Sequence, residues 1–204
     1  MACRKNRMTS MIKLIATAAL LGSASIASAA TTVYTFDDDS YKSAFTLSAF
    51  STVVSGSLVN KYAAPTIGGV TDTTNYLAVL GGSTASFTQG GSTITTVGYD
   101  WGSIDRYNYI KAYSGSTLVS TTWGSAYPPA TGAIGSAATN KYVTLSYAAS
   151  SKITKIVFGS DTNAFELDNV TVSAVPEPAT WAMLVIGFGL VGAATRRRTS
   201  MIAA

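Results

Sequence analysis

The sequence contains no histidine and a single cysteine, Cys3. Those absences exclude a Ser-His-Asp or Cys-His nucleophile, any disulfide within the chain, and a zinc site built from the usual nitrogen and sulfur ligands. Any metal would have to be a hard cation held by oxygen. Helical periodicity is also missing between residues 30 and 175, and no segment repeats at a period of 20 to 50 residues, which argues against a solenoid. Positive charge is scarce where a fold could lie. Of the fourteen basic residues, Arg4, Lys5, Arg7 and Lys13 stand near the start and Arg196, Arg197 and Arg198 near the end. The seven that remain face nine acids between Asp37 and Asp168, so this stretch is net acidic by about two charges. A nucleic-acid module concentrates Lys and Arg on the fold itself, so nucleic acid is excluded as a partner.

What is present begins with two distinctive ends. Residues 1–29 carry a basic start, the apolar run LIATAALLGSASI, and an A-x-A site formed by Ala27, Ser28 and Ala29. This pattern is a secretory signal peptide, cut after Ala29 by signal peptidase, with Met1, Met8 and Met11 all available as starts. Cys3 precedes the apolar run, unlike the lipid-bearing cysteine of a lipoprotein. At the other end, 18 uncharged residues lie between Glu177 and Arg196. As a helix they reach roughly 27 Å, near the ~30 Å hydrocarbon core. A single transmembrane helix is therefore expected over about 179–195. Trp181 suits the headgroup boundary, and Arg196–Arg198 mark the cytoplasmic end, placing the preceding domain outside.

The same residues resemble the PEP-CTERM family, in its PEPxxWA variant. Pro176, Glu177, Pro178, Trp181 and Ala182 fill the motif positions, followed by the glycine-containing apolar run and Arg196, Arg197 and Arg198. The resemblance covers about the last 25 residues and implies recognition by an exosortase, a membrane-embedded cysteine transpeptidase of Gram-negative bacteria that export polysaccharide. It implies cleavage near Pro-Glu-Pro and passage from an inner-membrane intermediate to the cell surface or extracellular matrix. The two prolines suit this role, because they keep the tripeptide extended and out of the helix. The G-x-G-x-x-G string at Gly187, Gly189 and Gly192 is a decoy: it lacks the βαβ setting and the later acid of a dinucleotide site.

Between the ends, at 30–175, short runs rich in Val, Ile, Thr, Tyr and Phe alternate with Gly, Ser, Asn and Pro clusters, the pattern of strands and turns. Eleven candidate strands in one domain predict an all-β fold, a jelly-roll-like β-sandwich. Alternation along Tyr107 to Tyr113 puts Tyr107, Tyr109, Lys111 and Tyr113 on one face. With Trp101, the rings of Tyr107, Tyr109 and Tyr113 are candidates for stacking on sugars; the alternative is that they pack the sheet surface. The densest polar stretch, Asp100 to Asn108, resembles a W-G-S-x-D-x-Y-N string of other exosortase-dependent proteins.

In the last strand Phe165 and Leu167 are expected inward and Glu166 and Asp168 outward, with a bulge after Asn169 where the apolar parity changes to Val170 and Val172. If the first and last strands are neighbours, Asp37, Asp39, Glu166 and Asp168 are candidates for a structural calcium site; an acidic edge that discourages aggregation is the alternative. No other cofactor and no catalytic residue is assigned. The expected function is a non-catalytic surface or matrix protein associated with exported polysaccharide. The alternative is a polysaccharide-cleaving hydrolase or lyase drawing on Asp100, Asp105, Glu166 or Asp168.

Overall fold

A computed structural model describes residues 29–177 and 182–192. Ala27, Pro178, Trp181 and Arg196 to Arg198, with the rest of the expected signal peptide, lie outside the described residues. Thirteen strands follow in chain order: β1 (Ala30–Tyr34), β2 (Phe45–Leu47), β3 (Ser51–Ser55), β4 (Thr66–Ile67), β5 (Val70–Thr71), β6 (Asn75–Val79), β7 (Ser83–Thr88), β8 (Ser92–Gly102), β9 (Asn108–Ser114), β10 (Thr117–Trp123), β11 (Lys141–Ser146), β12 (Lys155–Ser160) and β13 (Phe165–Pro176). Every named pairing is antiparallel.

One sheet runs β11-β8-β13-β6-β3, with β1 also on β13; the other runs β10-β9-β12-β7-β2. Their facing sides form one core. Leu77, Val79, Val97, Tyr99, Trp101, Phe165 and Leu167 come from the first, and Phe45, Phe87, Ile110, Ile156 and Phe158 from the second. Alternation explains the inward positions, since successive side chains of a strand point to opposite faces. The expected sandwich is thus observed, and β1 and β13 are neighbours, with Tyr34 opposite Val170. The bulge is present as well: the β13–β8 register shifts between Asp168 and Thr171, where Asn169 takes a φ of 49°. Val170 and Val172 then recover the buried face.

Two expectations about exposure are corrected. Glu166 and Asp168 do point away from the sandwich core, yet they are only 2% and 3% exposed. Residues 56–72, with the β4–β5 hairpin, cover that outer side. Ala64 packs with Tyr76 and Ala78 there, and Pro65 sits against Gly102, close enough that a methyl group would meet its Cα at 3.1 Å. The hairpin itself turns on Gly68 and Gly69, whose φ values of 60° and 83° suit glycine.

At the chain's end, β13 reaches Pro176, paired with Ser92, and the Glu177 N–H donates to the Gly91 carbonyl at 3.2 Å. Residues 182–192 form a helix with Met183, Ile186, Phe188 and Leu190 exposed. No helix among the described residues is long and apolar enough to cross a membrane, and the flanks of the expected 179–195 span are outside them.

Candidate functional site

A cleft of about 520 Å³ opens at the end of the sandwich where β13 begins. Four segments shape it: 57–63, 103–107, 131–134, and 163–166. Leu58, Val59 and Ile134 are exposed along its walls, while the interior is polar.

Glu166 forms the floor. Its Oε1 accepts the Ala63 N–H at 2.9 Å and its Oε2 accepts the Ser103 hydroxyl at 2.8 Å. Burial pushes its carboxyl from the ordinary 4.5 up to about 7, against the opposing pull of those hydrogen bonds. Because the folded carboxyl holds its proton more tightly than the unfolded one, this contribution to stability is fully present below pH 4.5 and is lost as pH rises through 7. A displacement of that size is worth about 3 kcal/mol. Urea unfolding in EDTA is therefore expected to show wild type losing roughly that much more stability than Glu166→Gln between pH 4.5 and 8. Equal pH slopes would contradict the assignment.

Asp105 and Tyr107 sit together above this floor. The Tyr107 hydroxyl lies 2.7 Å from both Asp105 Oδ2 and the Asn163 carbonyl. One phenolic proton cannot serve two acceptors at full strength. The phenol therefore shares its proton between Asp105 Oδ2 and the Asn163 carbonyl. Burial raises the Asp105 carboxyl against the opposing pull of that hydrogen bond, and pushes the Tyr107 phenol up to about 12.

Asn108 anchors the loop. Its amide accepts the Asp105 N–H at 2.8 Å and donates to Ser160 Oγ and the Ala164 carbonyl, both at 2.9 Å. The polar stretch flagged in the sequence thus resolves into separate tasks. Trp101 fills the core, Gly102 admits Pro65, Ser103 clamps Glu166, Asp105 and Tyr107 face the cleft, and Asn108 holds the turn.

The four candidate sugar-stacking rings do not share a surface. Trp101 is fully buried, stacked on Phe165 with centroids 4.5 Å apart, so it offers no face to a ligand. Tyr107 precedes β9 and turns into the cleft. Tyr109 and Tyr113 lie on the outer side of the second sheet, where Lys111 and Lys155 cover their rings at 4.4 and 4.5 Å. Tyr109 also lies across Gly159 and meets Trp123 edge to face at 5.2 Å. Packing of the sheet surface accounts for this pair.

The four expected calcium ligands do not gather into one group, although Asp37 is near enough to Asp168 to act on its charge. Asp39 pairs with Lys42 at 2.6 Å on the surface, Asp37 accepts the Asn75 N–H at 2.9 Å, and Glu166 belongs to the cleft. Asp168 is buried beside Asp72, and burial followed by that charge pushes its carboxyl up to about 8. Among the described residues no group of three or more His, Cys, Asp or Glu is placed to hold a metal ion. Lys61, Asn60, Tyr62 and Asn163, all lining the cleft, carry no sequence pattern that could have marked them.

The fold and cleft define an all-β sandwich with a polar groove at one end and, at the other end of its last strand, a Pro-Glu-Pro segment. Residues 174–198 match the PEP-CTERM protein-sorting motif, so the chain carries the sorting signal of exosortase substrates. No curated protein sequence matches the chain. Similar solved structures include the C-terminal CBM6 of LamC, a marine laminarinase from Zobellia galactanivorans, at 11% identity and a TM-score of 0.42, covering 70% of this chain and 98% of that one. A CBM35 from Paenibacillus barcinonensis is similar at 16% identity and 0.39, covering 69% and 97%. An exo-beta-1,3-galactanase from Phanerochaete chrysosporium is similar at 19% identity and 0.38, but this chain covers only 29% of it.

Proposed function

We propose that the chain is a non-catalytic protein of the cell surface or extracellular matrix that holds exported polysaccharide in the cleft at the start of β13. Signal peptidase removes the leader, the C-terminal helix retains the chain in the inner membrane, and an exosortase then releases or transfers it. The observation carrying this reading is the placement of cleft and sorting peptide at opposite ends of one strand. β13 spans Phe165–Pro176, about 36 Å at ~3.3 Å per residue, so a chain held by its C-terminus presents the cleft away from the membrane.

The cleft's chemistry suits neutral or hydroxyl-rich ligands. Tyr, Asn, Ser and Lys side chains supply donors and acceptors, and the aliphatic tips of Val59 and Ile134 frame them. A binding role fits the carboxylates better than catalysis does. Both Glu166 oxygens are already engaged by donors from the fold, leaving it to fasten the cleft wall. The hydrolase reading draws on one observation, that Asp105 and Glu166 line one cleft with raised carboxyls.

Affinity electrophoresis of the purified chain in gels containing the host's exported polymer separates the two. Retardation is expected for wild type and is expected to fall at least fivefold for Asp105→Asn and for Tyr107→Phe, with no new reducing ends released. Reducing ends produced by wild type and abolished in Asp105→Asn would replace binding with hydrolysis. Unchanged retardation in both variants would remove the cleft from the binding site.

A further inference from the structure

Segment 57–63, the cleft wall that lies over Glu166, is a strap fixed at its two ends. At one end the Tyr76 hydroxyl donates to the Gly56 carbonyl, and Gly56 turns the chain with a φ of 67°. At the other, directly after Pro65, the Thr66 N–H donates to Asn140 Oδ1 at 3.1 Å. Between these points residues 56–61 are exposed, and the strap bonds largely to itself. The Leu58 carbonyl accepts the Lys61 and Tyr62 N–H groups, and the Ala64 N–H donates to Ser57 Oγ. The hydrogen bonds that join its middle to the rest of the fold, among the described residues, run from the Ala63 N–H to Glu166 Oε1 at 2.9 Å and from the Asn163 amide to the Asn60 carbonyl at 3.1 Å.

The first of these bonds ends on an ionisable group. With the strap in place Glu166 is 2% exposed; a lifted strap admits water to the carboxyl. Withdrawing water disfavours the ionised form, so the two positions of the strap hold the Glu166 proton with different strength. The protonated carboxyl fits the closed strap. Its Oε1 still accepts from Ala63, and a proton on Oε2 is donated to the Ser103 hydroxyl, which accepts as readily as it donates. The charges around it do not favour ionisation. Asp105 and Tyr107 face the cleft from the 103–107 segment, Tyr76 on β6 senses the Glu166 charge, and Asp168 follows on the same side of β13. Segments 131–134 and 163–164 bring no titratable group, and Arg106 is not part of the cleft lining. Lys61 and Tyr62 stand on the strap itself, with Lys61 exposed to water, and among the described residues no cation forms an ion pair with Glu166.

We propose that lifting of the 57–63 strap is coupled to ionisation of Glu166, so that the cleft grips its polysaccharide in acid surroundings and loosens its hold as pH rises. The release rests on the polysaccharide reading of the cleft; the coupling of strap to proton does not. Burial keeps the closed carboxyl at about 7, against the ordinary 4.5 that it regains when wet. The proton's contribution to closure is therefore fully present below pH 4.5 and is lost as pH rises through 7. From pH 5.5 to 8 the closing equilibrium falls about thirtyfold, since about 1.5 pH units separate 5.5 from 7 and each is a factor of ten.

Hydrogen–deuterium exchange of the full chain in detergent, followed at the Ala63 amide at pH 5.5 and 8, tests the coupling. Across that range wild type is expected to gain about thirtyfold more exchange than Glu166→Gln, which cannot ionise and so reports the ordinary pH dependence of exchange. Equal gains in the two proteins would overturn the proposal. The excess is expected at 57–63 and not along β8; an equal excess at Val97 and Tyr99 would mean unfolding of the whole domain and would overturn it too. Ser103→Ala removes a donor to the ionised form, so its loss of protection is expected to extend to higher pH, which keeps the test decisive should Glu166→Gln fail to fold. Affinity electrophoresis at the same two pH values is the second arm. Retardation by the host's polymer that weakens at pH 8 in wild type but not in Glu166→Gln supports release, and retardation equal at both pH values overturns it. No retardation at either pH overturns release together with the polysaccharide reading, and exchange at Ala63 separates that failure from a failure of the strap.

Discussion

Replacing Trp101 by alanine is expected to destabilise the sandwich by about 3–5 kcal/mol, the range for removing a buried large aromatic. Trp101 is fully buried, stacked on Phe165 at 4.5 Å, and flanked by Tyr99 at 5.7 Å and Tyr127 at 5.5 Å. It is the largest fully buried side chain of the core, and its close-packed neighbours cannot collapse fully into the space it leaves. Urea unfolding of the full chain in detergent checks the figure. Tyr99→Phe is the matched control. The Tyr99 hydroxyl is buried without a hydrogen-bond partner among the described residues, so its removal is expected to be neutral or stabilising. A loss under 1 kcal/mol for Trp101→Ala would contradict the core placement. The variant is also expected to weaken polysaccharide retention, because Gly102 and Ser103 continue directly from Trp101 into the cleft wall.

Much of the sandwich was legible because antiparallel strands announce themselves by alternation. Each of the eleven expected strands has an observed counterpart, with ends shifted by a few residues, and even the bulge at Asn169 shows in the change of parity from Leu167 to Val170. What alternation cannot show is whether a face that points away from the core is covered by another part of the chain. Glu166 and Asp168 read as outward and are outward, but residues 56–72 lie over them. A signal for that cover existed. Thr66-Ile67-Gly68-Gly69-Val70-Thr71 sets two β-branched pairs around Gly-Gly, a compact hairpin signature that is easily passed over because each strand has only two residues.

The aromatic residues show the same limit. Trp101 and Tyr107 are six positions apart, and polar neighbours made both resemble ligand-facing rings. Trp101 instead follows the inward parity of Val97 and Tyr99 along β8, where the core decides its place. Tyr107 departs from the parity of Tyr109 because the Asn108 N–H donates to the Asp105 carbonyl at 3.2 Å, closing a turn before β9 starts. The cleft required segments distant in sequence to meet: Ala63 and Glu166 are 103 residues apart, and neither local composition nor spacing encodes their contact.

Changing Pro176-Glu177-Pro178 to alanines is expected to leave the exported chain unprocessed. In a host encoding an exosortase, immunoblots of membrane and released fractions should show the shortened product for wild type and only the longer, membrane-retained form for the variant. The reason lies in how β13 ends. Its ladder on β8 continues to Pro176 opposite Ser92, followed by the Glu177 N–H bond to Gly91. Proline supplies no N–H, so ordered pairing weakens where the motif begins, and an enzyme that binds an extended tripeptide has only these last contacts to displace. Alanines lack this restraint and allow the following helix to extend backward over the site. The folded domain should melt within about 1 kcal/mol of wild type, since the change touches only the strand's final pair. That separates a sorting defect from misfolding. Release of a product of wild-type size from the alanine variant would show that processing does not depend on the tripeptide, and the sorting assignment for residues 174–198 would lose its chemical basis.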